Sequence, residues 1–119
     1  MFIKSNIKDI YYMKLYNVNN NEFDEYIEYF KGIYNKNELC NIIFDLSNIH
    51  INDFFYASQQ LNFMKENREN TTNYINKTAI IVPNKIIENI INKVILNIYK
   101  PVKPNIITDT LENAVNFLS

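Results

Sequence analysis

The chain predicts a single α/β domain with a mixed, mostly parallel sheet. Three observations carry that prediction. Short apolar runs bounded by polar residues, Ile42-Ile43-Phe44 and Thr78 to Val82, suit strands covered on both faces. Stretches with helical spacing alternate with those runs, the pattern of a parallel sheet with right-handed crossovers. Two extended segments at the start, 2–7 and 10–16, are too close together for anything but an antiparallel hairpin.

Taken in order, the β-branched and aromatic content of 2–7 and 10–16 favours strands. In the second, Ile10, Tyr12 and Leu15 compete for one face, with Tyr11 and Met13 on the other. Asn17 to Asn21 reads as a turn. Phe23, Ile27, Phe30 and Tyr34 then recur at helical spacing, predicting a helix over Glu22 to Tyr34 with acidic residues early, where the helix dipole favours them. Leu39 to Leu46 holds the next strand, ending in Asp45. A helix over 52–68 follows, capped by Asn52 or Asp53, with Phe54, Ala57, Leu61 and Met64 as its core stripe. Arg68 to Asn76 reads as a polar linker.

Thr78 to Val82 is the next strand. From Lys85 to Tyr99 a helix carries an unusually broad apolar face, Ile86, Ile87, Ile90, Ile91, Val94, Ile95 and Ile98, which must lie flat on a sheet or between elements. Pro101 and Pro104 end it. Asn105 to Ile107 is a short last strand. Asp109 or Thr110 caps a final helix that buries Leu111, Ala114, Val115 and Leu118. The predicted order is β-β-α-β-α-β-α-β-α, about four helices, over one domain spanning 1–119, with no internal repeat.

Composition narrows the function classes. A net charge of −1 argues against a polyanion-binding role, and no nucleic acid is expected as a partner. The basic residues Lys77, Lys85, Lys93, Lys100 and Lys103 concentrate after residue 70 and read first as solvated helix faces. No apolar run approaches the ~20 residues of a membrane span, and MFIKSNIKDIYYMK lacks the apolar segment of a signal peptide. The expected setting is cytoplasmic. Cys40 is the lone cysteine and reads as a small core residue. Asn occupies 22 of 119 positions, and with frequent Ile, Lys and Tyr this points to an AT-rich genome more cheaply than to function.

No catalytic constellation can be assembled. The one glycine, Gly32, lies within a predicted helix, so there is no phosphate loop. His50, the only histidine, has Asp45 and Asp53 nearby but no metal-ligand spacing. Cys40 and His50 do not make a nucleophile–base pair by sequence. Asp45 sits where open α/β sheets bind ligands, but capping the following loop is the simpler role. The chain is expected to be no enzyme and to use no metal or cofactor.

The segment IIFDLSNIHINDFFYASQQL resembles the core of STAS domains, the SpoIIAA-like family of anti-sigma-factor antagonists. Asp45-Leu46-Ser47 matches that family's strand end, Ile49 and Ile51 its loop apolars, and Asp53 the Asp that opens its helix. Thr78 to Val82 and the ending Asp109, Leu111, Glu112, Ala114 and Leu118 are similar to a lipid-transfer-related branch of the fold. The resemblance implies a non-catalytic protein–protein interaction module, docking through the loop and helix start at Ser47, His50, Asp53, Phe54, Phe55 and Tyr56. It departs from the family where the phosphorylated Ser belongs: Phe54 and Phe55 stand there, so the usual switch is lost. A protein partner is expected, with a homo-oligomer as a further form of association. Two rivals stand beside this reading. One is a small-molecule or lipid-binding protein whose Ile-rich helix closes an apolar cavity. The other is a structural subunit of a larger, viral-type assembly.

Overall fold

The computed structural model describes residues 1–119. Five strands, β1 (Phe2–Ile7), β2 (Ile10–Leu15), β3 (Cys40–Asp45), β4 (Ile75–Ile81) and β5 (Asn105–Thr108), form one sheet in the order β1-β2-β3-β4-β5. The first pair is antiparallel and the rest are parallel. Lys8 and Asp9 both take positive φ, 48° and 68°, and so make the tight turn whose twist suits a two-residue hairpin.

Because the parallel strands are laid down in sequence order, right-handed crossovers put every connecting helix on the same face. That face carries α1 (Asn20–Asn35), α2 (Ala57–Glu66), α3 (Arg68–Tyr74) and α4, which runs from Lys85–Ile90 through a π-helical turn, Ile91–Leu96, into Asn97–Tyr99. The opposite face is left to the last helix, α5 (Leu111–Leu118).

Alternation along the strands feeds both faces. Met13, Ile42 and Ile75 point to the crossover side, where Phe23, Tyr26, Phe30, Ile33 and Tyr34 of α1 and Phe63 of α2 cover them. Ile10, Ile43, Ala79 and Ile81 point the other way, against Ala114 and Leu118. Leu15 falls with Met13, not with Ile10 and Tyr12 as expected, because residues an odd number apart on a strand face oppositely.

The caps explain where the helices begin. Asn19 accepts the Glu22 N–H at 2.8 Å while Glu22 accepts the Asn19 N–H at 3.2 Å, a reciprocal box that starts α1 two residues before the predicted Glu22. Asn84 caps α4 by accepting the Ile87 N–H at 2.9 Å, and Thr110 caps α5 by accepting the Asn113 N–H at 3.1 Å.

Two expectations need correction. The helix predicted over 52–68 is a 3₁₀ segment, Ile51–Tyr56, followed by α2, so neither Asn52 nor Asp53 is its cap. The polar linker predicted over 68–76 is α3 and the start of β4, which brings the helix count to five. Polar residues fold there because tertiary partners hold them. Thr71 hydrogen-bonds the Tyr34 hydroxyl at 2.6 Å, and Arg68 donates to the backbone oxygens of Tyr99 and Lys100 at 3.0 and 2.9 Å.

The broad face of α4 is also only partly buried. Ile87 and Ile91 are buried, but Ile86, Val94 and Ile98 are exposed. For Val94 and Ile98, which lie within and after it, the π turn is the reason. Its i→i+5 bonds wind more residues into each turn, which moves the inward stripe from Val94 and Ile98 to Ile95 and Tyr99. No helix is long and apolar enough to cross a membrane.

Candidate functional site

The loop after β3 begins at Asp45, which is buried on the α5 face. Its carboxylate accepts the Tyr12 hydroxyl, and the Ser47 N–H at 2.9 Å. Burial alone would raise this carboxyl, but the hydrogen bonds from Ser47 and Tyr12 outweigh it and hold Asp45 below the usual carboxylate range. The same contact, with burial as the larger cause, pushes the Tyr12 phenol well above its ordinary value. Asp45 is thus occupied as a loop cap.

Of the predicted docking residues, Asp53 accepts the His50 N–H at 2.9 Å and starts the 3₁₀ segment. The carboxylate that resembled a helix-opening Asp therefore satisfies backbone. His50 is exposed, and Ser47, partly buried, donates its hydroxyl to Asn48 at 3.3 Å. Phe54 turns inward to the cluster around Ile87 and Ile91. Tyr56 stacks on Phe23 with ring centres 4.6 Å apart and donates to Asn20 at 2.8 Å. Phe55 remains outside, 75% exposed, touching Tyr56 edge-on. The six residues are therefore not one surface: two aromatics are structural and one is free.

No group of three or more His, Cys, Asp or Glu gathers as a metal site. Cys40 and His50 lie beyond opposite ends of the run 41–45, and burial pushes the Cys40 thiol up to about 11, leaving it protonated at neutral pH.

A second site lies under the crossover helices. A partly enclosed cavity of about 190 Å³ separates them from the sheet, lined mostly by apolar side chains. It runs the length of the strands, since Leu15 and Leu46 at their C-terminal ends and Ile75 and Asn105 at their N-terminal ends all line it. Phe44 and Ile80 form its floor, and Ile91, Ile95 and Leu96 from the π turn form its roof.

Its polar groups are few and neutral along most of its length. The Tyr26 hydroxyl donates to Gln60 Oε1 at 2.9 Å, and the Tyr34 hydroxyl pairs with Thr71 Oγ1 at 2.6 Å. Burial pushes the Tyr34 phenol up to about 12 against the Thr71 bond, with Tyr99 adding to the rise, and pushes Tyr26 higher still. Tyr99 also lines the cavity, and its buried hydroxyl has no hydrogen-bond partner. The charged lining side chains are Asp53, engaged with His50, and Lys103.

Sequence reasoning offers an apolar cavity under the Ile-rich helix as a rival to solid packing, but not the tyrosines that line it. Tyr26, Tyr34 and Tyr99 look like ordinary stripe or helix-end residues, and only the π turn brings Tyr99 inward. Set against protein-family models, curated proteins and solved structures, the chain matches none.

Proposed function

We propose that this chain is a non-catalytic binding protein that holds a small apolar molecule between its sheet and its crossover helices. The cavity is the observation that carries this. Protein interiors are packed to the density of organic crystals, with few voids larger than a water. Left to water, a partly enclosed apolar cavity of about 190 Å³ costs the domain the burial of its apolar walls. An apolar occupant removes that cost and restores the lost dispersion contacts.

Native mass spectrometry of protein isolated gently from its source tests the reading, together with thermal melts in small hydrocarbons. A discrete added mass that leaves on unfolding, and a rise in Tm with ligand concentration, are expected. A bare chain whose Tm no apolar molecule raises would overturn it.

A second reading, the STAS-like interaction module, is favoured by the exposed Phe55. Aromatic anchors of this kind are common interface hot spots. It is supported further by the mixed sheet with its opening hairpin and by Asp45-Leu46-Ser47 at the end of β3. Phe55→Ser then weakens association with a protein partner without lowering Tm. A change in Tm with no change in association would count against it.

A further inference from the structure

We propose that the open edge of β1 pairs antiparallel with β1 of a second copy of this chain, about a two-fold axis at Ser5, so that the two sheets become one. The inference does not rest on the cavity.

The sheet has two edges. β5 is four residues long and follows Pro101 and Pro104, which have no N–H to give. β1 is six residues of extended chain with neither proline nor bulge. Half of its backbone is already used. The Tyr16 N–H donates to the Met1 carbonyl oxygen at 3.1 Å, so these two residues form a hydrogen-bonded pair. Such pairs alternate along an antiparallel ladder, so Ile3, Ser5 and Ile7 bond β2. Lys4 and Asn6 therefore turn their N–H and C=O groups outward, and no hydrogen bond outside the ladder reaches them. A row of free groups like this is a template for another strand, against which an edge lysine is a common guard. Here the Lys4 ammonium folds back over the Tyr29 ring of α1, 4.9 Å from its centre, instead of projecting past the edge.

The register identifies the occupant. A two-fold axis normal to the sheet keeps both sets of crossover helices on one side, so residues of like facing must meet and only every second register is open. With Ser5 on the axis, Lys4 of each copy meets Asn6 of the other, and each of these pairs exchanges both backbone hydrogen bonds. Ile3 of each copy meets Ile7 of the other on the α5 face, in the pairs whose side chains stand closest. α5 packs on β3, β4 and β5, so this side of its face is uncovered and Ile3 is 40% exposed. Pairing covers it. With Lys4 on the axis instead, two lysines stand directly opposite and each Ile3 faces a serine. With Asn6 on the axis, Lys4 runs into Lys8, whose left-handed backbone has left the strand. β1 thus complements itself in one register, and a two-fold contact closes without building a fibre.

Residues 3–7 of each copy bury less than the roughly 1,200 Å² at which standard interfaces begin, so the dimer is a weak one. Analytical ultracentrifugation of the intact chain from about 1 μM to about 1 mM is expected to show a monomer–dimer equilibrium. Asn6→Asp should tighten it about tenfold and Asn6→Lys weaken it about tenfold, because each acts on two pairs with Lys4. Lys4→Pro removes only an outward N–H, a change that edge strands tolerate, and should give a monomer with an unchanged circular dichroism spectrum. Ser5→Cys tests the register with every backbone group intact. Residues on the axis are about 4.5 Å apart at Cα, within disulfide reach, so mild oxidation should link residue 5 of one copy to residue 5 of the other, read by peptide mass mapping. Lys4→Cys should not link to itself in the same way. A monomer at every concentration would overturn the proposal. So would a dimer that survives Lys4→Pro, or one indifferent to the charge at residue 6. Linkage through Lys4→Cys in preference to Ser5→Cys would overturn the register.

Discussion

On one face of the sheet, α5 lays Ala114 and Leu118 over Ile43, Ala79 and Ile81, and both alanines are wholly buried. On the other face, α1 to α4 bring far larger side chains, with Phe30 packed on Phe63 at 5.2 Å and on Phe44 at 5.7 Å, yet leave about 190 Å³ unfilled. Small residues give close approach. Large aromatic and β-branched residues on four separate helices do not tile a surface without gaps. The difference shows that bulk is not density: a short helix seals its face, and a longer and more apolar set of helices builds a container.

Adding carbon to each face is the largest test of this contrast. Ala114→Leu has no space to enter, since Ala114 lies against a buried strand surface, and it should lower stability by about 2–3 kcal/mol. Ala57→Leu adds the same atoms at the start of α2, where Ala57 lines the cavity. It should leave stability within about 1 kcal/mol of wild type while abolishing binding of a small hydrocarbon such as cumene. Equal destabilisation by the two, in urea melts, would erase the distinction between the faces.

The next effect is polar and belongs to the α5 face. Asp45→Ala leaves the Tyr12 hydroxyl and the Ser47 N–H without their acceptor and should cost about 2 kcal/mol. Its pH dependence has a fixed sign. The native carboxyl titrates below its unfolded value, near 3.9, so its stabilisation is complete above about pH 5 and is lost as pH falls through the lower, native value. Wild type and Asp45→Asn should therefore converge in acid. Both faces answer to base. The raised phenols of Tyr12 on the α5 face and of Tyr26 and Tyr34 on the crossover face keep the folded state neutral while the unfolded chain ionises near pH 10, so stability falls as pH rises from there. Denaturant midpoints measured across pH check both arms.

Much of this architecture is legible in the sequence, and the reasons differ by region. The strand order, the hairpin and the α5 stripe follow from period-two and helical patterns that the packing does not override. Two features escape. The segment Arg68–Tyr74 has no apolar stripe, because its helix is held by Thr71 and Arg68 reaching partners far along the chain, which no local window contains. In α4, regular helical spacing carries the stripe from Ile87 and Ile91 to Val94 and Ile98, and the π turn abandons it for Ile95 and Tyr99. The candidate site is half visible for the same reason: an Ile-rich helix announces apolar volume, whereas a hydroxyl becomes an orphan only once every neighbour's partner is known.

Tyr99→Phe tests the container alone. Removing a buried donor that has no acceptor should raise the stability of the empty protein by about 1 kcal/mol, a few degrees in Tm. The same exchange at Tyr34 removes the bond to Thr71 and should lower stability by about 1 kcal/mol. Opposite signs for two tyrosines lining one cavity separate an unpaired hydroxyl from a paired one. If both exchanges destabilise, Tyr99 has a partner within the empty protein.

The smallest effect lies at the hairpin turn, whose Lys8 and Asp9 are exposed, belong to neither packed face and so serve as a reference for both. Lys8 and Asp9 hold left-handed backbone that costs an L-residue about 1 kcal/mol, and less for Asp than for Lys. Asn-Gly is the pair this turn prefers. The double variant Lys8→Asn, Asp9→Gly should therefore stabilise by about 1 kcal/mol with no change in the affinity for cumene. The gain comes from backbone conformation, remote from the cavity. Were cumene affinity to move with it, the container would be coupled to global stability, and affinity changes in the cavity variants would need correcting for that coupling before being assigned to shape.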